Sequence, residues 1–203
     1  MHSEGTVFVV DDDASVLDSL VVLLMSAGLK VIPYDSGLSF LRTYDPAIRG
    51  CLVLDIQMPD MNGLELQEKL TEKQATMPII MITGHGDIKM AVKALKRGAF
   101  DFIEKPFTDE VIINCIYNAL EFDEKARNKN ENVTKINELV AQLTMREREV
   151  FIHLIRGDLN KVIAAKLEIS TRTVEIHRAH IMEKLQVRSL SHLVKMAILA
   201  GLE

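Results

Sequence analysis

The sequence predicts a doubly wound α/β domain on a five-stranded parallel sheet, followed by an all-α domain of four helices. Three observations lead there. Short apolar runs alternate with helix-period segments through the first 122 residues, and from residue 143 onward helix signals continue with no convincing strand. The charge also changes sign between the two parts. Residues 1–122 carry 18 Asp and Glu against 10 Lys and Arg, whereas residues 143–203 carry 7 against 10 and hold four of the six histidines. An acidic front and a basic back in a chain of 203 residues indicate two domains with different partners.

The strands are read from TVFVV (6–10), KVIPY (30–34), CLVLD (51–55), PIIMITG (78–84) and FDFIEK (100–105). The third and fourth are almost continuously apolar, as central strands covered on both faces require. Between them, Val16, Leu17, Leu20, Leu23, Leu24 and Ala27 follow helical spacing within 14–27. So do Leu64, Leu66 and Leu70 within 63–70, and Ile88, Ala91, Val92 and Leu95 within 88–97. From 109 the set Val111, Ile112, Cys115, Ile116, Ala119 and Leu120 traces another apolar face. Strands alternating with helices place function in the crevice beyond the carboxyl ends of the strands.

That rim collects a specific chemistry. Asp11 and Asp12 follow the first strand, Asp55 ends the third, Thr83 the fourth and Lys105 the fifth. Crowded carboxylates require a cation, and oxygen ligands with room for water favour Mg²⁺, or Mn²⁺. A divalent ion there would grip a phosphoryl oxygen while one carboxylate acts as nucleophile. Lys105 would pair with the new charge and Thr83 would hydrogen-bond to it. Each residue alone reads as a helix cap, a turn or a solvated strand end; all five at the ends of the right strands do not.

The double acid, Asp55 within DIQMPDMNG, Thr83 in MITGHGD and Lys105 in KPF resemble the receiver domain of bacterial response regulators over nearly all of 5–122. The resemblance implies a flavodoxin-like fold in which Asp55 accepts a phosphoryl group from a sensor histidine kinase. It implies Asp11, Asp12 and Asp55 as metal ligands, with the backbone carbonyl of Gln57 completing the shell. Asp13 falls outside the ligand pair. Thr83 and Phe102 would form the switch, the Lys105–Pro106 bond is cis in many members, and Gln57 and His85 would influence the phosphoryl lifetime.

Residues 123–142 are polar and mixed in charge, and read as a linker that is helical in part; Val133, Ile136, Leu139, Val140 and Leu143 restore an amphipathic spacing. Beyond it, Thr144 with Glu147 makes a capping box and Gly157 a stop. NKVIAAKLEI forms a short helix, Ser170 caps the next, TRTVEIHRAHIMEKL, and Ser189 or a neighbour caps the last. Two helices joined at 168–170 suggest helix-turn-helix.

LTMREREV, Gly157, NK at 160–161 and TVEIH at 173–177 resemble a LuxR-type output domain across 143–203. Leu159 departs from the pattern, where many relatives place a Ser or Thr cap that Asp158 could replace; Glu175 stands where other branches carry Lys. With Val174 and Ile181 inward, Arg172, Glu175, Ile176 and Ala179 point outward with His180 nearby, toward a major groove. Arg172 and Arg178 suit phosphate or guanine, Glu175 cytosine and Ile176 a thymine methyl. Thr173 belongs to the same DNA-binding set, and Lys161 and Lys184 would grip phosphates.

Together the halves resemble a NarL/FixJ-class two-component response regulator, closest to the FixJ branch. This implies a signalling protein rather than an enzyme, with at most slow self-dephosphorylation. A sensor kinase would phosphorylate Asp55, the 88–104 face would form a homodimer, and promoter DNA would be bound, with RNA polymerase as a further contact. An alternative keeps the LuxR-type DNA binding and uses the receiver only for protein interaction. An aspartate-nucleophile phosphatase would carry a second acid where Gln57 stands, and a ligand-sensing regulator would lack the acidic rim. Cys51 and Cys115 lie in apolar runs and make no disulfide framework, no signal peptide opens the chain, and no stretch is long enough to span a bilayer. These readings point to the cytoplasm.

Overall fold

The computed structural model describes residues 5–84 and 88–202. The chain divides into two compact units, Met1–Ala126 and Arg127–Glu203. In the first, elements run β1 (Thr6–Val10), α1 (Ala14–Ser26), β2 (Lys30–Tyr34), α2 (Gly37–Thr43), β3 (Gly50–Asp55), α3 (Gly63–Glu72), β4 (Ile79–Thr83), α4 (Ile88–Lys96), β5 (Asp101–Glu104) and α5 (Asp109–Ala141). The strands form one parallel sheet in the order β2-β1-β3-β4-β5. The order reverses between β1 and β3, so the ends of those two neighbours open the crevice where such sheets hold ligands.

The strand period of two sorts the core into two layers. Phe8, Val10, Leu52, Leu54 and Met81 face one way and pack with Phe40 of α2, Leu66 and Leu70 of α3, and Ala91 and Ala94 of α4. Val7, Val9, Cys51, Val53, Ile80 and Ile82 face the other way, against Leu20 and Leu24 of α1 and Ile112, Ile116 and Ala119 of α5. Both cysteines are buried free thiols. Burial pushes Cys115 up to about 12, helped by the charge of Asp101, and Cys51 is raised for the same first reason. Asp123 of α5 is also buried, and its carboxylate accepts the Gly50 N–H at the start of β3.

The segment expected to be helical in part continues α5 without a break as far as Ala141. Its final turns belong to the second unit, where Ile136 and Val140 enter the core. Four helices follow: α6 (Met145–Ile155), α7 (Asn160–Leu167), α8 (Thr171–Lys184) and α9 (Leu190–Leu199). Val150, Leu154, Ile163, Val174, Ile181 and Leu193 are the fully enclosed centre of this bundle. Thr144 and Glu147 form the reciprocal capping box of α6, Ser170 caps α8 and Ser189 caps α9. Asp158 does not supply the missing cap of α7. Leu159 occupies the cap with no side-chain bond, because the Asp158 carboxylate is already held by His153 and Lys166, each at 2.8 Å. Among the described residues, no helix is long and apolar enough to cross a membrane.

Candidate functional site

Asp11 lies one residue past β1 and Asp55 ends β3, so the parallel pairing of these strands sets two buried carboxylates side by side. Lys105, one residue past β5, reaches both. Its Nζ donates to Asp55 Oδ1 at 2.7 Å and to Asp11 Oδ2 at 3.1 Å. The second oxygen of each carboxylate is held by backbone: Asp55 Oδ2 accepts the Gln57 N–H at 2.6 Å, and Asp11 Oδ1 accepts the Asp13 N–H at 2.9 Å. Thr83 sits one residue beyond the Asp55–Ile82 register pair and is fully buried, its hydroxyl donating to the Gly84 carbonyl at 3.2 Å. Phe102 pairs with Met81 on the edge strand and is half-buried against the α3–α4 layer. The Lys105–Pro106 peptide is cis.

Asp12 and Asp13 part from this cluster. Asp13 caps α1, accepting the N–H groups of Ser15 and Val16, as an acid after a strand commonly does. Asp12 is exposed. Among the described residues, no group of three acidic, histidine or cysteine side chains is gathered closely enough to hold a metal ion; of the expected trio of carboxylates, Asp11 and Asp55 are the buried acids and Asp12 is the exposed one. His85 lies outside the described residues.

One ammonium serves two buried carboxylates, and the electrostatics follow from that shortfall. Burial pushes the Asp55 carboxyl above its ordinary range; the hydrogen bond and charge of Lys105 pull it down without overcoming burial, and the charge of Asp11 adds to the rise. Burial pulls the Lys105 ammonium down, but its bonds to Asp55 and Asp11 more than offset this and hold it charged. An under-neutralised all-oxygen pocket with two carboxylates fits Mg²⁺, which takes one or two carboxylates and keeps several waters. Gly63, the first residue of α3, makes the close approach behind Asp55 feasible: a Cβ there would lie 2.5 Å from the Asp55 carbonyl oxygen.

On α8, Arg172, Glu175, Ile176, Ala179 and His180 share the exposed side, and Lys161 of α7 is exposed as well. Three members of the expected DNA-binding set are engaged within the domain. Thr173 Oγ1 lies 2.8 Å from Ser170 Oγ at the cap. Arg178 is half-buried and donates to the side-chain oxygen of Asn160, tying α8 to α7. Lys184 donates to the buried Glu147 carboxylate at 2.6 Å. Neither Asn160 nor the partnership of Glu147 was visible in periodicity, although the capping box marked Glu147 for another reason.

Two buried carboxylates joined by one ammonium, with a hydroxyl at the end of the next strand and a helix-turn-helix unit in the same chain, define a class. The chain belongs to the bacterial response regulators: residues 7–117 match the response regulator receiver domain and residues 141–197 match the luxR family of bacterial regulatory proteins. It is a phosphorylation-dependent transcriptional regulator of a two-component system. Within that class it is 43% identical over 202 residues to the transcriptional regulatory protein FixJ of Bradyrhizobium diazoefficiens, covering 100% of this chain and 98% of that one. It is 44% identical to the response regulator protein TmoT of Ectopseudomonas mendocina, over 95% of this chain and 87% of the relative. A solved structure of the response regulator StyR matches 96% of this chain and 98% of its own, at 45% identity and a TM-score of 0.86.

Proposed function

We propose that Asp55 takes a phosphoryl group from the phosphohistidine of a sensor kinase, and that this event drives dimerisation and promoter binding. The single observation carrying the proposal is the Lys105 ammonium spanning Asp11 and Asp55 at the sheet's switch point. Nucleophilic attack requires Asp55 ionised, a state that Lys105 favours and burial opposes. The Asp55 oxygen forms the new bond to phosphorus as the bond from phosphorus to the histidine nitrogen breaks. Lys105, already in hydrogen-bond range of Asp55, then compensates the charge of the phosphoryl oxygens. Mg²⁺ or Mn²⁺, held by Asp11, Asp55, the Gln57 carbonyl and Asp12 at the margin, would supply charge neutralisation at those oxygens when bound.

Thr83 would leave the Gly84 carbonyl to donate to the phosphoryl group, and Phe102 would repack on the adjacent strand. This biases the 88–104 face, where Val92 and Leu95 stand exposed on α4, toward a homodimer. Paired α8 helices would then read two half-sites through Arg172, Glu175, Ile176, Ala179 and His180, with Thr173 at the helix start and Lys161 on the backbone. Arg178 would act from its bond to Asn160, and RNA polymerase is a further partner. The protein works in the cytoplasm as a signalling protein with, at most, slow self-dephosphorylation. Sedimentation of the full chain with Mg²⁺, with and without acetyl phosphate, tests the coupling. The expected result is a phosphate-dependent dimer that binds duplex DNA more tightly. The same response in Asp55→Asn would sink the proposal.

A further inference from the structure

The helical unit contains an ion pair between a buried acid of α6 and the last residue of α8. Glu147 is 3% exposed. One of its oxygens, Oε2, accepts both the Thr144 N–H at 2.8 Å and Lys184 Nζ at 2.6 Å. Its other oxygen lies 3.8 Å from Nδ1 of the exposed His180. The Lys184 ammonium also lies 3.5 Å from the Gln142 carbonyl, where the chain leaves α5. The last turn of α8 is thereby fastened to the first turn of α6. The hydrogen bond from Lys184 holds the Glu147 carboxyl down at about 2, against the opposing effect of burial, so this carboxylate stays ionised throughout the working range.

We propose that Glu147 is an internal competitor for Lys184, keeping that ammonium off the DNA backbone and thereby lowering both the affinity and the salt dependence of DNA binding. This rests on the reading of α8 as the DNA-facing helix. A lysine moving to a phosphate would leave a buried carboxylate without its cation, whereas the phosphate contact it gained would be screened by solvent and salt. The exchange is unfavourable, so Lys184 stays. Lys161, exposed on α7, faces no such buried acid among the described residues and remains available. Affinity is thus held below what the basic residues of the unit would otherwise allow, which increases reliance on pairing of two protomers.

Counterion release gives a readout that a merely structural role would not move. Each phosphate neutralised steepens the dependence of log K on log salt by about 0.9. Glu147→Gln removes the charge while keeping a residue that can complete the capping box. Binding of the full chain to mixed-sequence duplex DNA would be titrated from roughly 50 to 200 mM salt, for wild type, Glu147→Gln and the double variant Glu147→Gln with Lys184→Met. The expected result is tighter binding in Glu147→Gln, with a slope steeper by about 0.9 per protomer, and a return to the wild-type slope in the double variant. A slope in Glu147→Gln equal to or shallower than wild type, with the fold intact by circular dichroism, overturns the proposal while leaving DNA binding in place. Absence of duplex binding by the wild type at any salt in this range overturns the reading of α8 and the proposal with it.

Discussion

Replacing Gly63 with alanine tests how tightly α3 is drawn against Asp55. The new Cβ would lie 2.5 Å from the Asp55 carbonyl oxygen and 3.0 Å from Ile56 Cα, and both neighbours are backbone with no rotamer to yield. Ordinary contact begins at 3.4 Å, so the first turn of α3 and the end of β3 must separate by roughly 0.9 Å. That movement stretches the 2.9 Å bond from the Gly63 N–H to the Ile56 carbonyl. It also displaces the peptide from which the Asp55 side chain reaches Lys105. Overpacking of this kind costs about 1–3 kcal/mol, more than the ~0.5–1 kcal/mol that alanine returns as a better helix former. Misplacement of a reacting group by about 1 Å can cost on the order of a hundredfold in rate. Formation of aspartyl phosphate from acetyl phosphate and Mg²⁺ should therefore slow by about tenfold to a hundredfold, with a lower urea midpoint. Gly37→Ala is the control, since the nearest atoms to its Cβ would be side-chain atoms of Met61 and Leu66 at 3.3 Å and beyond, with no backbone among them. A Gly63→Ala protein phosphorylated within about twofold of wild type and equally stable would refute the reasoning.

Leu159→Ser gives α7 the cap acceptor it lacks and removes a side chain that is 74% exposed; urea denaturation should show a gain of about 1 kcal/mol. Glu168 ends α7 in the left-handed region with φ of 55°, so Glu168→Gly should add about 1 kcal/mol by the same measurement, and a loss would contradict the backbone argument. Asp55 binds its proton more tightly folded than unfolded. Its contribution to stability is therefore complete below the ordinary value of 3.8 and is lost as pH rises through the higher folded value. In metal-free buffer the stability of wild type relative to Asp55→Asn should fall as pH rises through that window, and Mg²⁺ should stabilise the wild type alone near neutral pH. A relative stability that grows with pH would contradict the burial of an under-neutralised acid.

Much of this was legible because the strongest local signals coincide with the core. All five strands stand where β-branched apolar runs placed them, and the rim residues Asp11, Asp55, Thr83 and Lys105 follow from strand ends alone. The seven-residue α2 was not individually located, since so short a segment offers little more than Phe40 as a buried anchor. The continuation of α5 is legible only as a linker helical in part, not as one unbroken helix. Around 123–132 its side chains are largely solvated, so the helix continues without the apolar stripe that periodicity detects. The internal engagement of Arg178 and Lys184 depends on Asn160 and Glu147, residues 18 and 37 positions away. Sequence spacing on one helix carries no information about such partners, and a cation on a basic face reads as free until the fold supplies its acid.

On the proposed function, the carboxylate pair and Lys105 serve transfer of a phosphoryl group to Asp55. Its most direct test is the intact mass of the purified full chain after incubation with Mg²⁺ and acetyl phosphate, with Asp55→Asn treated in parallel. One added phosphoryl group is expected in the wild type and none in the variant. An unmodified wild type, or equal modification of Asp55→Asn, would contradict it.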